Sequence, residues 1–241
     1  LNLCLRWVAT DPHNEYIKMF FEYGIIGFCL MLGLFKEMWR RFRITPKSKE
    51  FMVLASDKMW RLHNLYYITN EQGQKTLFQP REAQLKFLLN RHGFDIILKA
   101  RQLGFSTVVQ LDMLDDCLFG KNQNAAIIAQ SMNDAEEIFS TKLKFPYDNL
   151  PGFLKKLIHP VRDSRTAIEF NNGSKIRVGV SMRSSTLTNL HISEHGKICA
   201  KDPIRAKEIR TGSLNAVHEG QKITIESTAE GREGDFFDFT Q

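Results

Sequence analysis

The segment at residues 99–107, KARQLGFST, carries residue types that can hold a phosphate group. An apolar run at 94–99 predicts a strand before it, and apolar residues at helical spacing predict a helix over 106–118 after it. The unpaired backbone N–H groups and the dipole at the start of a helix both favour an anion. Lys99 or Arg101 could supply a cation, and Ser106 could offer its hydroxyl to Mg²⁺. The segment is therefore a candidate phosphate-binding loop.

The candidate loop departs twice from GxxxxGK[ST], the pattern that is typical of phosphate-binding loops. Ala100 stands at the first glycine position and Phe105 at the lysine position, whereas Gly104 and Ser106 match. The alternative is an ordinary helix start with a Ser-Thr pair, in which the cations beside the turn are simply solvated. The predicted nucleotide-binding residues of the loop are Lys99, Ala100, Arg101, Gln102, Leu103, Gly104, Phe105, Ser106 and Thr107.

A carboxylate, Glu194, follows a second predicted strand at 187–193. In nucleotide hydrolases such a strand usually ends in Asp-Glu, where the Asp assists Mg²⁺ and the Glu orients the attacking water. Glu194 is therefore the predicted catalytic base, and its alternative is a charged residue that merely ends a strand. Ser193 replaces the Asp. Ser193 could reach the metal through a water molecule, or another carboxylate could take that role; Ser106 and Ser193 are the predicted metal-contacting residues.

The same stretch has the spacing HxxEH, from His191 to His195, which is found in some zinc peptidases. A zinc site of that kind needs a helix, so that two histidines four residues apart face one metal. Gly196 follows directly, and the residues before His191 show no helical period. The pattern therefore disfavours a zinc peptidase.

Two further features lie on either side of these segments. Gln84 precedes the candidate loop in the stretch FQPREAQL at 78–85, and its amide could donate to and accept from an adenine edge. Ser227 and Thr228 leave a third predicted strand at 222–227, where hydroxyl groups could sense the loss of a phosphate and move a neighbouring segment. Taken alone, a glutamine in this position is more often an exposed helix residue, and Ser-Thr at the end of a strand is usually a turn or a cap.

Strands and helices alternate along this part of the chain, which predicts an α/β core with crossover helices. Further strands are predicted at 124–130, 167–170 and 175–180, with a hairpin turn at Asn172-Gly173 and a helix over 131–139. With 241 residues, 43% hydrophobic and 25% charged, the chain is globular in composition. Its net charge of +6 permits a polyanionic partner without requiring one. Four scattered cysteines exclude a disulfide-dense scaffold and disfavour a four-cysteine zinc site.

The N-terminal part has a different character. Residues 16–35, YIKMFFEYGIIGFCLMLGLF, are apolar and about long enough to cross a bilayer. Basic and aromatic residues follow, which predicts a membrane helix with its C-terminal end in the cytoplasm. The alternative is a buried or amphipathic helix, because the uncharged core is short. The composition changes near 44–48, so we expect a hydrophobic segment, 1–43, and a second domain, 44–241.

Residues from about 47 to 241 resemble the ATPase domain of phage large terminase subunits, the motors that pump DNA into procapsids. Four features occur in the same order: the glutamine-bearing helix, the loop KARQLGFST, the strand ending at Glu194, and ESTAEG at 226–231. The early lysine, Lys99, is similar to that of a variant loop in this family. Further similar stretches are MWRLHNLYYI at 59–68, the run from AIIAQSMNDAEEIF to YDNLP at 126–151, KIRVGVSMR at 175–183 and SEHGKICAKDP at 193–203.

This resemblance implies a P-loop core of the RecA/ASCE type with a mostly parallel sheet, which hydrolyses ATP with Mg²⁺ and translocates double-stranded DNA. It implies a homo-oligomeric ring with a portal protein and a small terminase subunit as partners, in the host cytoplasm. It assigns the phosphate loop to Lys99, Gly104 and Ser106, the catalytic carboxylate to Glu194, the adenine contact to Gln84 and the coupling motif to Ser227 and Thr228.

The resemblance also raises two expectations about what lies near these motifs. Arg101 and Arg183 are candidates for contacting the γ-phosphate. Full-length terminases carry a C-terminal nuclease, and we expect it to be absent because the sequence ends at Gln241, shortly after the coupling motif.

Residues 11–28, DPHNEYIKMFFEYGIIGF, resemble instead the histidine-bearing loop and following membrane helix of O-antigen ligases and polymerases, with His13 at the functional histidine. The two resemblances together predict a fusion, with membrane contact through residues 16–35. Two alternatives remain for the whole chain. One is a membrane-embedded ligase fragment fused to an inactive remnant. The other is a helicase-like ATPase, which would need a second RecA-like domain.

Overall fold

The structure is a computed structural model that describes residues 51, 53–182, 186–229 and 235–240. The chain divides into two compact units, residues 1–61 and 62–241. In the described part of the first unit, the Arg61 guanidinium donates to the carbonyl oxygens of Ala55 and Ser56 at 3.0 and 2.9 Å. The predicted hydrophobic segment, the expected boundary near 44–48 and His13 lie outside the described residues.

The second unit is built on a mostly parallel sheet, as the alternation of strands and helices predicts. The strands are β1 (Tyr67–Thr69), β2 (Lys75–Leu77), β3 (Phe94–Leu98), β4 (Asn124–Ile128), β5 (Pro160–Asp163), β6 (Ala167–Phe170), β7 (Lys175–Gly179), β8 (Leu187–Ser193) and β9 (Val217–Ser227). β1 and β2 form an antiparallel pair, and the other seven form one sheet in the order β3-β9-β8-β4-β7-β6-β5. Strands β3, β9, β8, β4 and β7 run parallel, whereas β6 and β5 extend the sheet in antiparallel pairing.

Helices connect and cover these strands. The α-helices are α1 (Lys58–Asn64), α2 (Glu82–Leu89), α3 (Phe105–Phe119), α4 (Met132–Ile138), α5 (Phe145–Asp148), α6 (Gly152–Leu157), α7 (His195–Lys201), α8 (Pro203–Glu208) and α9 (Asp235–Phe239). Two π-helical segments, Phe139–Lys144 and Ile209–Ser213, and a 3₁₀ turn, Leu214–Ala216, follow α4 and α8. Over the ranges that the structure describes, no helix is long and apolar enough to span a bilayer, and residues 16–35 are not in those ranges.

The core lies along the central parallel strands, and β4 and β8 are buried on both faces because helices cover the sheet. Ile128, Leu190, Ile192 and Ile225 belong to one buried cluster at the centre of the sheet. Helix α3 buries most of its side chains, so its weak amphipathic pattern follows from its place in the interior. The predicted turn joins β6 to β7, where Gly173 has a φ of +81° that favours glycine.

The carboxyl ends of three neighbouring parallel strands meet at one edge of the sheet. The register pairs Leu98 of β3 with Ser227 of β9, and Ser193 of β8 with Glu226 of β9. In open α/β sheets, ligands bind outside the carboxyl ends of the strands. The fold therefore brings the loop after β3 beside the last residues of β8 and β9, although these segments lie far apart in the sequence.

Candidate functional site

Lys99 lies at the centre of this edge, between the candidate loop and two carboxylates. Its Nζ is 3.1 Å from Glu194 Oε1, 3.4 Å from Glu226 Oε2 and 3.4 Å from the Ser106 hydroxyl. The backbone N–H of Lys99 donates to the Ser227 carbonyl at 3.0 Å, which continues the pairing of β3 with β9 by one residue. The Lys99 side chain is only 7% exposed, so these anionic partners compensate for the hydration that its ammonium group loses.

The loop after Lys99 turns tightly and presents the start of a helix to the site. Gln102 and Gly104 both have left-handed backbone angles, with φ of +63° and +69°. Helix α3 begins at Phe105, and the first N–H groups of a helix have no partner within it. An anion beside these groups is favoured by both hydrogen bonding and the helix dipole.

Gln84, on α2, packs against this loop. Its Nε2 donates to the Leu103 carbonyl at 2.8 Å, and its Oε1 accepts from the Arg81 N–H at 2.9 Å. A Cβ added at Gly104 would lie 2.7 Å from Gln84 Nε2. Glycine is therefore favoured here for two reasons: it adopts the positive φ, and it leaves room for the Gln84 amide. Both ends of the Gln84 amide bind the protein itself, and its contact with adenine stays a prediction.

The departures from the usual loop pattern have structural explanations. Phe105, at the usual lysine position, is buried and packs edge-to-face against Phe87, with ring centroids 6.0 Å apart. A lysine there would lose hydration against an apolar ring, whereas Lys99 enters the site from the strand side. Among the other predicted loop residues, Thr107 is partly buried, and four are exposed: Ala100, Arg101, Gln102 and Leu103.

Glu194 sits at the turn between β8 and α7 in a strained backbone conformation. Its φ of +55° and ψ of +45° are left-handed, which for a residue other than glycine costs on the order of 1–3 kcal/mol and is concentrated at functional sites. Its Oε2 lies 3.0 Å from Lys197 Nζ. Partial burial raises the pKa of Glu194, but the hydrogen bonds and charges of Lys197 and Lys99 outweigh it and lower the pKa overall. Glu194 is therefore ionised at neutral pH and can accept a hydrogen bond from a water molecule.

A second carboxylate, Glu226 on β9, was not assigned from the sequence. It is fully buried, and Ser193 donates a hydrogen bond to its Oε1 at 3.1 Å. His191 Nε2 also lies 3.3 Å from this oxygen, at an angle outside that of a hydrogen bond. Burial raises the pKa of Glu226, but His191, Lys99 and the Ser106 hydroxyl lower it to about 2. A buried carboxylate that stays ionised needs cations or strong donors around it, and Lys99 is one of these.

Ser227 and Thr228 contact the segment that carries Glu194. Ser227 Oγ accepts from the Gly196 N–H at 3.0 Å, and the Thr228 hydroxyl donates to Glu194 Oε2 at 3.4 Å. A Cβ added at Gly196 would lie 2.8 Å from Ser227 Oγ, so the glycine allows this close approach. The end of β9 is thus linked directly to Glu194, as a coupling role would require, and that role stays a prediction.

A cleft of about 250 Å³ opens beside Ser106, Ser193 and Glu194. Its far wall comes from α4 and the π-helical segment Phe139–Lys144, and Lys142 of that segment lines it. Burial lowers the pKa of Lys142, while the negative charge of Glu226 opposes this shift. The sequence places a basic residue here but contains no signal that predicts a π-helix, so Lys142 was not among the predicted site residues.

The structure therefore gathers Lys99, Ser106, Ser193, Glu194, Ser227 and Thr228 around one cleft edge. Arg101 is exposed on the loop, and Arg183 lies outside the described residues. The HxxEH stretch falls on the end of β8 and the start of α7, so its two histidines do not share one helix. Across the described part of the chain, no group of three or more His, Cys, Asp or Glu residues could hold a metal ion.

The mostly parallel sheet, with the loop between β3 and α3 and the carboxylate after β8 at one edge, is the α/β fold expected for a P-loop core. The fold is similar to that of phage large terminases, so the predicted resemblance is confirmed in the fold. The crystal structure of the HK97 bacteriophage large terminase matches 74% of this chain with a TM-score of 0.56 and 18% sequence identity. The present chain spans 38% of the length of that protein.

Two structures of the large terminase ATPase domain of Thermus phage P74-26, one of them a mutant, are also similar. Each matches 67% of this chain at 16% identity, with TM-scores of 0.48 and 0.46, and the chain spans 69% and 70% of them. No protein-family model and no curated protein matches the sequence. The likeness to known proteins therefore rests on the fold.

Proposed function

We propose that residues 62–241 bind and hydrolyse ATP as the motor domain of a viral DNA-packaging terminase. The observation that carries the proposal is the contact between Lys99 and Glu194 beside the start of α3. A cation, free helix N–H groups and an ionised carboxylate within one site are the groups that phosphoryl transfer to water requires.

Each residue has a role in this scheme. The helix N–H groups after Gly104 bind the phosphate oxygens, and Lys99 exchanges Glu194 for those oxygens when a triphosphate arrives. Glu194, once released, orients a water molecule toward the terminal phosphate and accepts its hydrogen bond. Mg²⁺, when bound with the nucleotide, neutralises charge on the phosphate oxygens. The Ser106 hydroxyl, which accepts from Lys99 at the edge of the cleft, is an oxygen of the type that this ion prefers.

In the packaging motor the domain would act on double-stranded DNA, as part of a ring on a portal protein and with a small subunit, in the host cytoplasm. The likeness of the fold to a large terminase supports this setting. A motor must release DNA at each step, so we expect weak DNA binding that falls steeply with salt.

The proposal is tested with the full 241-residue chain. Binding of a non-hydrolysable ATP analogue and release of phosphate from ATP are measured for the wild type, Lys99→Ala and Glu194→Gln. Lys99→Ala should lose analogue binding, and Glu194→Gln should keep binding but lose turnover by several orders of magnitude. Lys222→Ala is the matched control, because Lys222 lies midway along β9 and forms an ion pair with Asp116, outside the site. Full binding and turnover in both site variants would reject the assignment.

A further inference from the structure

The position that usually carries the magnesium-binding aspartate is occupied by Ser193, and a carboxylate lies directly beside it on the next strand. The parallel register of β8 and β9 makes Glu226 the cross-strand neighbour of Ser193. The two side chains touch, since Ser193 donates to Glu226 Oε1 at 3.1 Å. We propose that Glu226, on β9, replaces the missing aspartate of β8 and holds Mg²⁺ with the Ser106 and Ser193 hydroxyls. This proposal rests on the proposed function.

The second oxygen of Glu226 is the observation that points to a ligand. Glu226 Oε2 is buried and has no hydrogen-bond donor within the described residues. Lys99 Nζ lies 3.4 Å away, but its direction is not that of a hydrogen bond, so it supplies electrostatic attraction alone. A buried carboxylate oxygen without a donor costs free energy unless a ligand supplies a positive charge.

The groups around this oxygen fit a small divalent cation. The Ser106 hydroxyl and Glu226 Oε2 each lie 3.4 Å from Lys99 Nζ, and Ser106 is in the first turn of the helix that would receive the phosphates. Mg²⁺ prefers oxygen ligands and is usually held by one or two carboxylates, nucleotide phosphates and water. Glu226, the two serine hydroxyls and a triphosphate together supply that set.

Lys99 must move for the cation to approach, and the proposed function already requires this movement. In the described structure Lys99 contacts both Glu194 and Glu226. When Lys99 turns to the phosphates, both carboxylates lose their shared cation. Glu194 still has Lys197 at 3.0 Å, whereas the described ion pairs of Glu226 leave it only His191, which lies 3.3 Å from Oε1 and not beside Oε2. Glu226 is therefore the carboxylate that needs a new positive charge.

The experiment measures how strongly Mg²⁺ and nucleotide bind together. A fluorescent, non-hydrolysable ATP analogue is titrated into the full chain in EDTA and in Mg²⁺, and the ratio of the two Kd values gives the coupling. Glu226→Gln keeps the shape but removes the charge, so it should reduce this ratio by at least about tenfold while analogue binding in EDTA persists. Lys222→Ala is the control, because Lys222 lies midway along the same strand and pairs with Asp116 outside the site, and it should leave the ratio unchanged.

A compensating variant moves the carboxylate back to the usual strand. Ser193→Asp combined with Glu226→Gln keeps the number of charges and should restore the ratio. Thermal unfolding in EDTA shows whether Glu226→Gln folds. If it does not, the ratio of the double variant is compared directly with that of the wild type. An unchanged ratio in Glu226→Gln, or analogue binding without any effect of Mg²⁺ in the double variant, would overturn this proposal alone. Failure of the wild type to bind the analogue in either buffer would overturn the proposed function as well.

Discussion

The Nζ of Lys99 lies 3.1 Å from the Oε1 of Glu194, although 94 residues separate them in the sequence. The parallel sheet produces this contact, because β3 and β8 flank β9 and end at the same edge. Without nucleotide, the two groups that the reaction would use neutralise each other. In the proposed function, a triphosphate would therefore have to compete with Glu194 for Lys99.

The first prediction concerns this competition. Glu194→Gln removes the competing charge and the repulsion between carboxylate and phosphate, so a non-hydrolysable ATP analogue should bind more tightly than to the wild type. The gain should be about 0.5–1 kcal/mol, since the carboxylate is partly exposed and screened. Isothermal titration calorimetry of both proteins at two salt concentrations gives the difference. Weaker binding by Glu194→Gln would contradict a competing role for the carboxylate.

A second prediction concerns the packing of Gln84 on the loop. Gly104→Ala should destabilise the chain through its positive φ, by about 1–2 kcal/mol, and through a clash with the Gln84 amide. In a Gln84→Ala background the clash disappears, so Gly104→Ala should lower the free energy of unfolding only by the contribution from the positive φ. Urea unfolding of the four proteins in this double-mutant cycle separates the two contributions. An equal cost of Gly104→Ala in both backgrounds would show that the amide does not press on the loop.

Much of the fold follows from the sequence, because periodicity and local signals act over short distances. The apolar runs at 94–99 and 187–193 correspond to β3 and β8, and the Asn-Gly pair marks the turn between β6 and β7. The pattern does not predict the π-helical turn after α4, since one extra residue in a helical turn depends on packing. Lys142 lines the cleft from that turn, and it was missed for this reason.

The candidate site could be predicted where its residues follow a strand directly in the chain. Lys99 and Glu194 do so, and their types match the chemistry of phosphoryl transfer. Glu226 could not be found in this way, because its place beside Ser193 depends on the order of the strands and on the register of β8 with β9. Neither property is encoded in a short sequence motif.

A third prediction concerns stability at alkaline pH. Burial and the negative charges of Asp148 and Asp163 raise the pKa of Tyr147 from 10.0 to about 12, and its hydroxyl donates to the Ile158 carbonyl at 3.0 Å. The unfolded chain therefore releases the Tyr147 proton first as the pH rises. The free energy of unfolding should fall between about pH 10 and 12, by up to about 3 kcal/mol from this group.

Tyr147→Phe is the control for this pH dependence. At neutral pH it should cost about 1 kcal/mol, because the Ile158 carbonyl loses a donor. Above about pH 10 its stability should approach or exceed that of the wild type, because phenylalanine has no proton to lose. Chemical unfolding at several pH values gives the two curves. A constant difference between the curves up to pH 12 would mean that Tyr147 ionises equally in the folded and unfolded chains.

The last prediction concerns the link between β9 and Glu194. Ser227→Ala removes the oxygen that accepts from the Gly196 N–H, so a buried donor is left without its partner at a cost of about 1–3 kcal/mol. The turn that positions Glu194 should then open more often. Hydrogen exchange of the Gly196 amide should accelerate in Ser227→Ala, whereas Thr228→Val should leave it unchanged, because Thr228 contacts the Glu194 side chain. In ATP turnover Ser227→Ala should lower kcat more than analogue affinity, since the phosphate-binding groups after Gly104 remain in place. Equal losses in kcat and affinity would instead place Ser227 among the groups that hold the nucleotide.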